Sequence, residues 1–160
     1  MSVAIDQTTE ALPYLDDLRT GAALAPVTYE VTQDLIDRYG LASLDLNPVH
    51  MDPAWAARAQ VFGTPQTVQH GMMSMSFMTS VVLRALGPLA EVTSVRSTFT
   101  KPAPVRTTVT CRGFVRDVHV PGNGTDRAVI KVTATDQDGE TVGISEVSVR
   151  LPRRPGGGGR

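Results

Sequence analysis

Cysteine is almost missing from this chain: Cys111 is the only one among 160 residues. That excludes an internal disulfide and a zinc site built on cysteines. Aromatic residues make up only 5%, too few for a base-stacking surface that would hold a single strand. Neither sign of charge is in excess, since 15 Lys plus Arg face 16 Asp plus Glu for a net charge of -1. The one basic cluster, Arg153 and Arg154, lies near the C-terminal end, so no nucleic-acid partner is expected. No window reaches the roughly 18 apolar residues of a spanning helix, and the N-terminus lacks the basic-then-apolar order of a signal peptide. These absences lead us to expect a soluble cytoplasmic protein with no membrane partner.

An apolar content of 41% over this length suits one domain with its own core. Residues 1–12 read as loosely ordered and "RRPGGGGR" at 153–160 as a flexible Gly-rich tail, so the domain is expected to span 1–152. "LAPVTYEV" alternates as a strand does. Thr32 then caps "QDLIDRYGLAS", where Leu35, Ile36 and Tyr39 recur at helical spacing and Gly40 is expected to end or weaken the helix. Asp52 followed by Pro53 reads as an N-cap with proline in the first turn of "AWAARAQ". From Gly71, "GMMSMSFMTSVVLRALG" is apolar on every face, which predicts a buried helix.

Beyond Pro88, four runs rich in Val, Thr and Ile read as strands, with hairpin signals at "PGNGT" and "DQDG". One buried helix and a long antiparallel meander predict an α+β domain whose sheet curls around the helix.

The chemistry-bearing residues gather in "DLNPVHMDP". On one reading Asp45 or Asn47 accepts hydrogen bonds from nearby backbone N–H groups in an Asx-type turn while His50 packs. On the other, Asp45 and His50 are an acid/base pair across a turn stiffened by Pro48, both reaching one water. The pattern alone leans towards the turn. Downstream, Gly71 in "QHGMM" opens the buried helix, where unpaired N–H groups and the positive end of the dipole suit a carbonyl oxygen that gains charge. A glycine there also serves a close entry of the chain into the core. His70 is expected to orient this loop, and His119, beside a hairpin turn, to be a surface residue. A metal site from His50, Asp52 and His70 lacks a recognised spacing, and no G-x-S-x-G elbow supports a serine nucleophile. The methionines between Met72 and Met78 read as adaptable core filler, although they would also suit an acyl-chain pocket.

"DLNPVHMDPAW" followed some 20 residues later by "QHGMM" and then by strands resembles the MaoC-like dehydratases, which include the (R)-specific enoyl-CoA hydratases and have a hotdog fold. The similarity runs from about Leu18 to Leu151. It implies an antiparallel sheet wrapped around a long central helix, and a hydratase or dehydratase that interconverts 2-enoyl and 3-hydroxyacyl thioesters. It further implies that Asp45 and His50 activate the water, that Asn47 helps hold the loop, and that the Gly71 N–H serves the oxyanion hole. Coenzyme A or acyl-carrier thioesters would be the substrates, with no metal or redox cofactor, and the protein would be a homodimer or higher homo-oligomer. Leu44 stands where a glycine commonly precedes the family's aspartate. Two rivals remain open, a non-catalytic hotdog subunit that binds acyl thioesters and a hotdog thioesterase. Phe62, Met73 and Phe77 are candidates for the acyl pocket, and Arg96, Lys101 and Arg106 for contact with nucleotide phosphates.

Overall fold

The computed structural model describes residues 13–155. The segment expected to be loosely ordered, 1–12, and the glycines of the tail lie outside the described residues. A 3-10 turn at Leu15–Asp17 precedes β1 (Val27–Glu30), α1 (Gln33–Ser43), α2 (Pro48–Met51), α3 (Pro53–Ala59) and α4 (Gly71–Leu86). The strands β2 (Glu91–Phe99), β3 (Thr108–His119), β4 (Arg127–Thr135) and β5 (Thr141–Arg150) complete the chain. They form one five-stranded antiparallel sheet in the order β1-β3-β4-β5-β2. This is the expected α+β arrangement, a curled sheet packed on one long helix in the manner of the hotdog fold.

Period-two patterning builds the concave face. In β3, Val109, Cys111 and Val115 are buried while Thr108, Arg112 and Phe114 are exposed, so one face meets the helix and the other meets solvent. Met73, Met78, Val81, Val82 and Leu86 of α4 join Val109, Val115, Ile130, Val132, Val147 and Val149 of the sheet in a single core. Cys111 is part of that core, and burial pushes its thiol up to about 12. It is packing material rather than a nucleophile.

Four features differ from the sequence reading. Only β3, β4 and β5 form a meander; β2 reaches the far edge and pairs with β5, so the stretch from Thr100 to Thr107 crosses over instead of turning back. Gly40 does not end α1. It is buried inside it, where a Cβ would collide with the Met51 sulfur and fall 3.2 Å from the Asp45 carbonyl oxygen, so its role is close approach of α1 to the following loop. Helix α4 is not covered all round within one chain: Met72, Ser76, Leu83 and Arg84 are exposed. Finally, Arg153 and Arg154, assigned to the tail, pair with Asp16, Asp126 and Asp17, which extends the tethered chain past Pro152. No helix among the described residues is long and apolar enough to cross a membrane.

Candidate active site

The segment from Leu44 to Asp52 is held by a succession of caps. Thr32 caps α1 by accepting from Leu35 N–H. The other end of the helix closes at Leu44 in the left-handed conformation, φ 58° and ψ 23°, which turns the chain into Asp45. Asn47 caps the single turn α2, its Oδ1 accepting from Val49 N–H at 3.1 Å. Asp52 caps α3 by accepting from Trp55 N–H at 2.9 Å. Asn47 therefore does make the local turn bond, and that turn presents His50 on its far side.

His50 Nδ1 lies 2.7 Å from the Val68 carbonyl oxygen. A carbonyl can only accept, so Nδ1 carries the proton and Nε2 is left with its lone pair. Burial lowers the His50 pKa below its ordinary value, and the His70 ring adds to this; the Val68 bond and Asp45 oppose it. Asp45 and His50 are not hydrogen-bonded to each other. A carboxylate oxygen of Asp45 and one ring nitrogen each of His50 and His70 lie within 4.8 Å of one another, a spacing that one bridging water fits.

His70 is only 1% exposed and ties these parts together. Its ring stacks on His50 at 3.9 Å between centroids and leans on Tyr39 at 5.0 Å. Nε2 donates to the Asp45 carbonyl at 3.0 Å, with the Asp45 carboxylate 4.0 Å away. Nδ1 is buried and has no hydrogen-bond partner among the described residues. The same three side chains have the donor types of a metal site, but two of their ring nitrogens are already committed to carbonyls. Asp52, weighed as a ligand from the sequence, is occupied as a helix cap.

His70 is also the N-cap of α4, and Ser74 N–H, bonded to the His70 carbonyl at 3.1 Å, is one full turn into the helix. Gly71 stands at the first helical position, where the N–H has no intrahelical acceptor. A cleft of about 350 Å³ brings Gly71 together with His50, Phe62, Gln69, Ser74 and Phe99. A Cβ on Gly71 would lie 3.1 Å from the Phe99 ring, so glycine lets that ring rest on the helix start.

Sequence reasoning missed the residues that set this frame. Gln33 Nε2 donates to the His50 carbonyl at 2.9 Å and to Asp37 at 2.7 Å, while its Oε1 accepts from Thr67 Oγ1 at 2.5 Å. It bolts α1, α2 and the approach to α4 into one piece. Gln69 N–H bonds to the Ala103 carbonyl and Val105 N–H to the Thr67 carbonyl, so the strip carrying Val68 is stitched to the crossover. A glutamine at a helix start has no local sign of such a role.

Of the suggested pocket residues, Phe62 lines the cleft, whereas Met73 and Phe77 line a separate apolar groove with Leu35 and Tyr39. Lys101 stands at the cleft but pairs with Asp136 and Glu140. Arg106 lies in a neighbouring polar hollow, and Arg96 lies elsewhere on the sheet beside Arg116 and Glu146. His119, at the end of β3, pairs with Asp117 at 2.7 Å and lines the same hollow as Arg96, not the cleft of His50.

Comparison with known proteins agrees with this geometry at the level of fold. The unliganded R-hydratase PhaJ1 from Pseudomonas aeruginosa superposes with a TM-score of 0.78 at 23% identity, over 88% of this chain and 86% of that one. The (R)-hydratase from A. caviae involved in PHA biosynthesis gives 0.75 at 23% identity, over 85% and 98%. A chain of the ChsH1-ChsH2 complex from Mycobacterium tuberculosis gives 0.72 at 21% identity, over 83% and 98%. No protein of curated function matches the chain by sequence. The family model of the MaoC like domain matches residues 19–138, a span that holds the loop of Asp45 and His50, the start of α4 and the strands β1 to β4, and the chain belongs to the MaoC-like domain family.

Proposed function

We propose that this protein is a hydratase or dehydratase acting on a 2-enoyl thioester, carried by coenzyme A or an acyl carrier. The observation that carries this reading is a ring nitrogen of His50 within 4.8 Å of an Asp45 carboxylate oxygen, with Nε2 left bare by the Val68 bond and His50 lining the cleft that also contains the start of α4. In this scheme a water bound between Asp45 and His50 loses a proton to His50 Nε2 as its oxygen bonds to carbon 3. The electron pair of the double bond moves towards the thioester oxygen, where the Gly71 N–H receives the developing charge. Carbon 2 then takes a proton from the same Asp45/His50 pair, so the elements of water are added across the bond. The reverse sequence eliminates water. Every proton is moved by side chains of this chain, and no metal or redox cofactor takes part.

Asn47 and His70 act here by position, one capping the turn that presents His50 and the other holding the Asp45 backbone. We further propose a homodimer or higher homo-oligomer, because β2 is an edge strand, paired on one side only among the described residues, with Phe99 exposed beside the cleft. Light scattering of the purified chain would decide its mass. The decisive assay is loss of the enoyl-thioester absorbance with crotonyl-CoA and longer homologues, with chiral analysis of the product. Activity across this panel supports the reading. Complete inactivity with retained acyl-CoA binding favours the non-catalytic subunit, and release of free thiol favours the thioesterase.

A further inference from the structure

Two buried polar side chains in the cleft wall have no part in the scheme above: Gln69, 5% exposed, and Ser74, 6% exposed. Burying them costs stability unless their hydrogen bonds are used. The other hydroxyls of α4 turn back onto their own helix. Ser76 donates to the Met72 carbonyl at 2.9 Å, Thr79 to Met75 at 2.8 Å and Ser80 to Phe77 at 2.8 Å. Ser74 does not. Its Oγ accepts a hydrogen from Gln69 Nε2 and is also a partner of the Tyr29 hydroxyl, so its proton is shared with a side chain behind the cleft wall rather than spent on a carbonyl of its own helix.

Gln69 is itself fixed from behind. The Tyr29 hydroxyl lies 3.3 Å from its Oε1 and 3.2 Å from its Nε2, and the Tyr29 ring stacks on Phe77 with centroids 3.8 Å apart. Ser74 stands three residues after Gly71, on the same helical face. Its Cα–Cβ bond leans towards the helix N-terminus, which brings the hydroxyl towards the Gly71 N–H. Both residues line the cleft that holds His50.

We propose that the Ser74 hydroxyl is a second donor to the thioester oxygen beside the Gly71 N–H, and that Gln69 is the positioning residue that aims it. The proposal rests on the hydratase reading and adds to it an oxyanion site with one backbone donor and one side-chain donor. The amide hydrogen received from Gln69 strengthens Ser74 as a donor, because chains of hydrogen bonds polarise one another.

The test is crotonyl-CoA hydration by the full chain carrying Ser74→Ala, Ser74→Thr or Gln69→Met, together with the infrared carbonyl stretch of a bound saturated acyl-CoA. Ser74→Ala is expected to lower kcat by roughly 10²-fold with KM little changed, the scale for one lost oxyanion donor. Ser74→Thr, which keeps the hydroxyl, restores most of the rate, and Gln69→Met lowers kcat in the same direction as Ser74→Ala. The bound carbonyl stretch sits at lower frequency in the parent protein than in Ser74→Ala. A folded Ser74→Ala protein with the parent kcat, or with faster turnover, overturns the proposal. Equal carbonyl frequencies in the two proteins overturn it as well. If the parent chain hydrates no enoyl thioester but the carbonyl shift depends on Ser74, the donor stands and the hydratase reading fails.

Discussion

Replacing His50 by glutamine removes the imidazole nitrogen that the Val68 bond leaves with its lone pair, while leaving much of the frame in place. The side-chain amide can still donate to the Val68 carbonyl that now receives Nδ1–H at 2.7 Å, so the structural loss is at most about one net hydrogen bond, roughly 0.5–1.5 kcal/mol. For a chain of this length that lowers Tm by only a few degrees. The catalytic loss is larger: a general base contributes about 10²- to 10⁴-fold, or roughly 3–5 kcal/mol of barrier. The pH profile separates these effects. Burial lowers the His50 pKa below the ordinary imidazole value of about 6.5, so Nε2 stays unprotonated at neutral pH and kcat/KM falls only as pH drops below 6.5 towards the folded-state pKa. The stability sign agrees: the unfolded chain takes up this proton first, so the contribution is complete above the unfolded pKa and is lost as pH falls through the folded one. The assay is the initial rate of crotonyl-CoA hydration from pH 5 to 9 in parent and variant. An acid limb centred above 6.5, or a variant with the parent rate, would refute the assignment of His50 as base.

Other perturbations follow from the same geometry. Gly71→Ala puts a methyl group 3.1 Å from the Phe99 ring; the partly exposed ring swings into the cleft, so kcat/KM falls roughly 10- to 100-fold while the melting temperature changes little. Leu44→Gly relieves a left-handed residue at φ 58° that is 82% exposed, and chemical denaturation should show a gain of roughly 0.5–1 kcal/mol. Gln33→Met frees the His50 carbonyl and strands Thr67; stability should drop by about 1–3 kcal/mol, and turnover should drop with it when measured well below the melting transition.

What could be read in the sequence was whatever is decided within a few residues. The caps at Thr32 and Asp52 are local hydrogen bonds, and the Val-rich strands show their burial in alternation, so both were visible. The place of β2 was not, because its partner β5 lies some 50 residues further along and no turn joins them. Gly40 misled for a related reason: its local meaning is a helix break, and its actual reason is Met51 from another segment. The site divides along the same line. Asp45 and His50 were legible as a motif, but the tautomer of His50 is set by a backbone carbonyl 18 positions away, and a carbonyl has no residue type to read. Gln33, Gln69 and Ser74 are polar residues whose importance comes only from what the fold sets beside them.

In the proposed scheme, burial gives Asp45 and His50 different parts. Asp45 keeps its side chain about half in solvent, at 52% exposure, whereas His50 is drawn further in, between the His70 ring and the Val68 carbonyl. Desolvation favours the uncharged imidazole, which in that scheme suits the inner member to take the proton and the outer one to orient the water. His70 makes this division stable, because one buried ring both supports the His50 face and fixes the Asp45 backbone. A shift of either segment would have to break the stack or the carbonyl bond. In the proposed reaction the pair therefore has its spacing before substrate arrives, and binding energy need not be spent on assembling it.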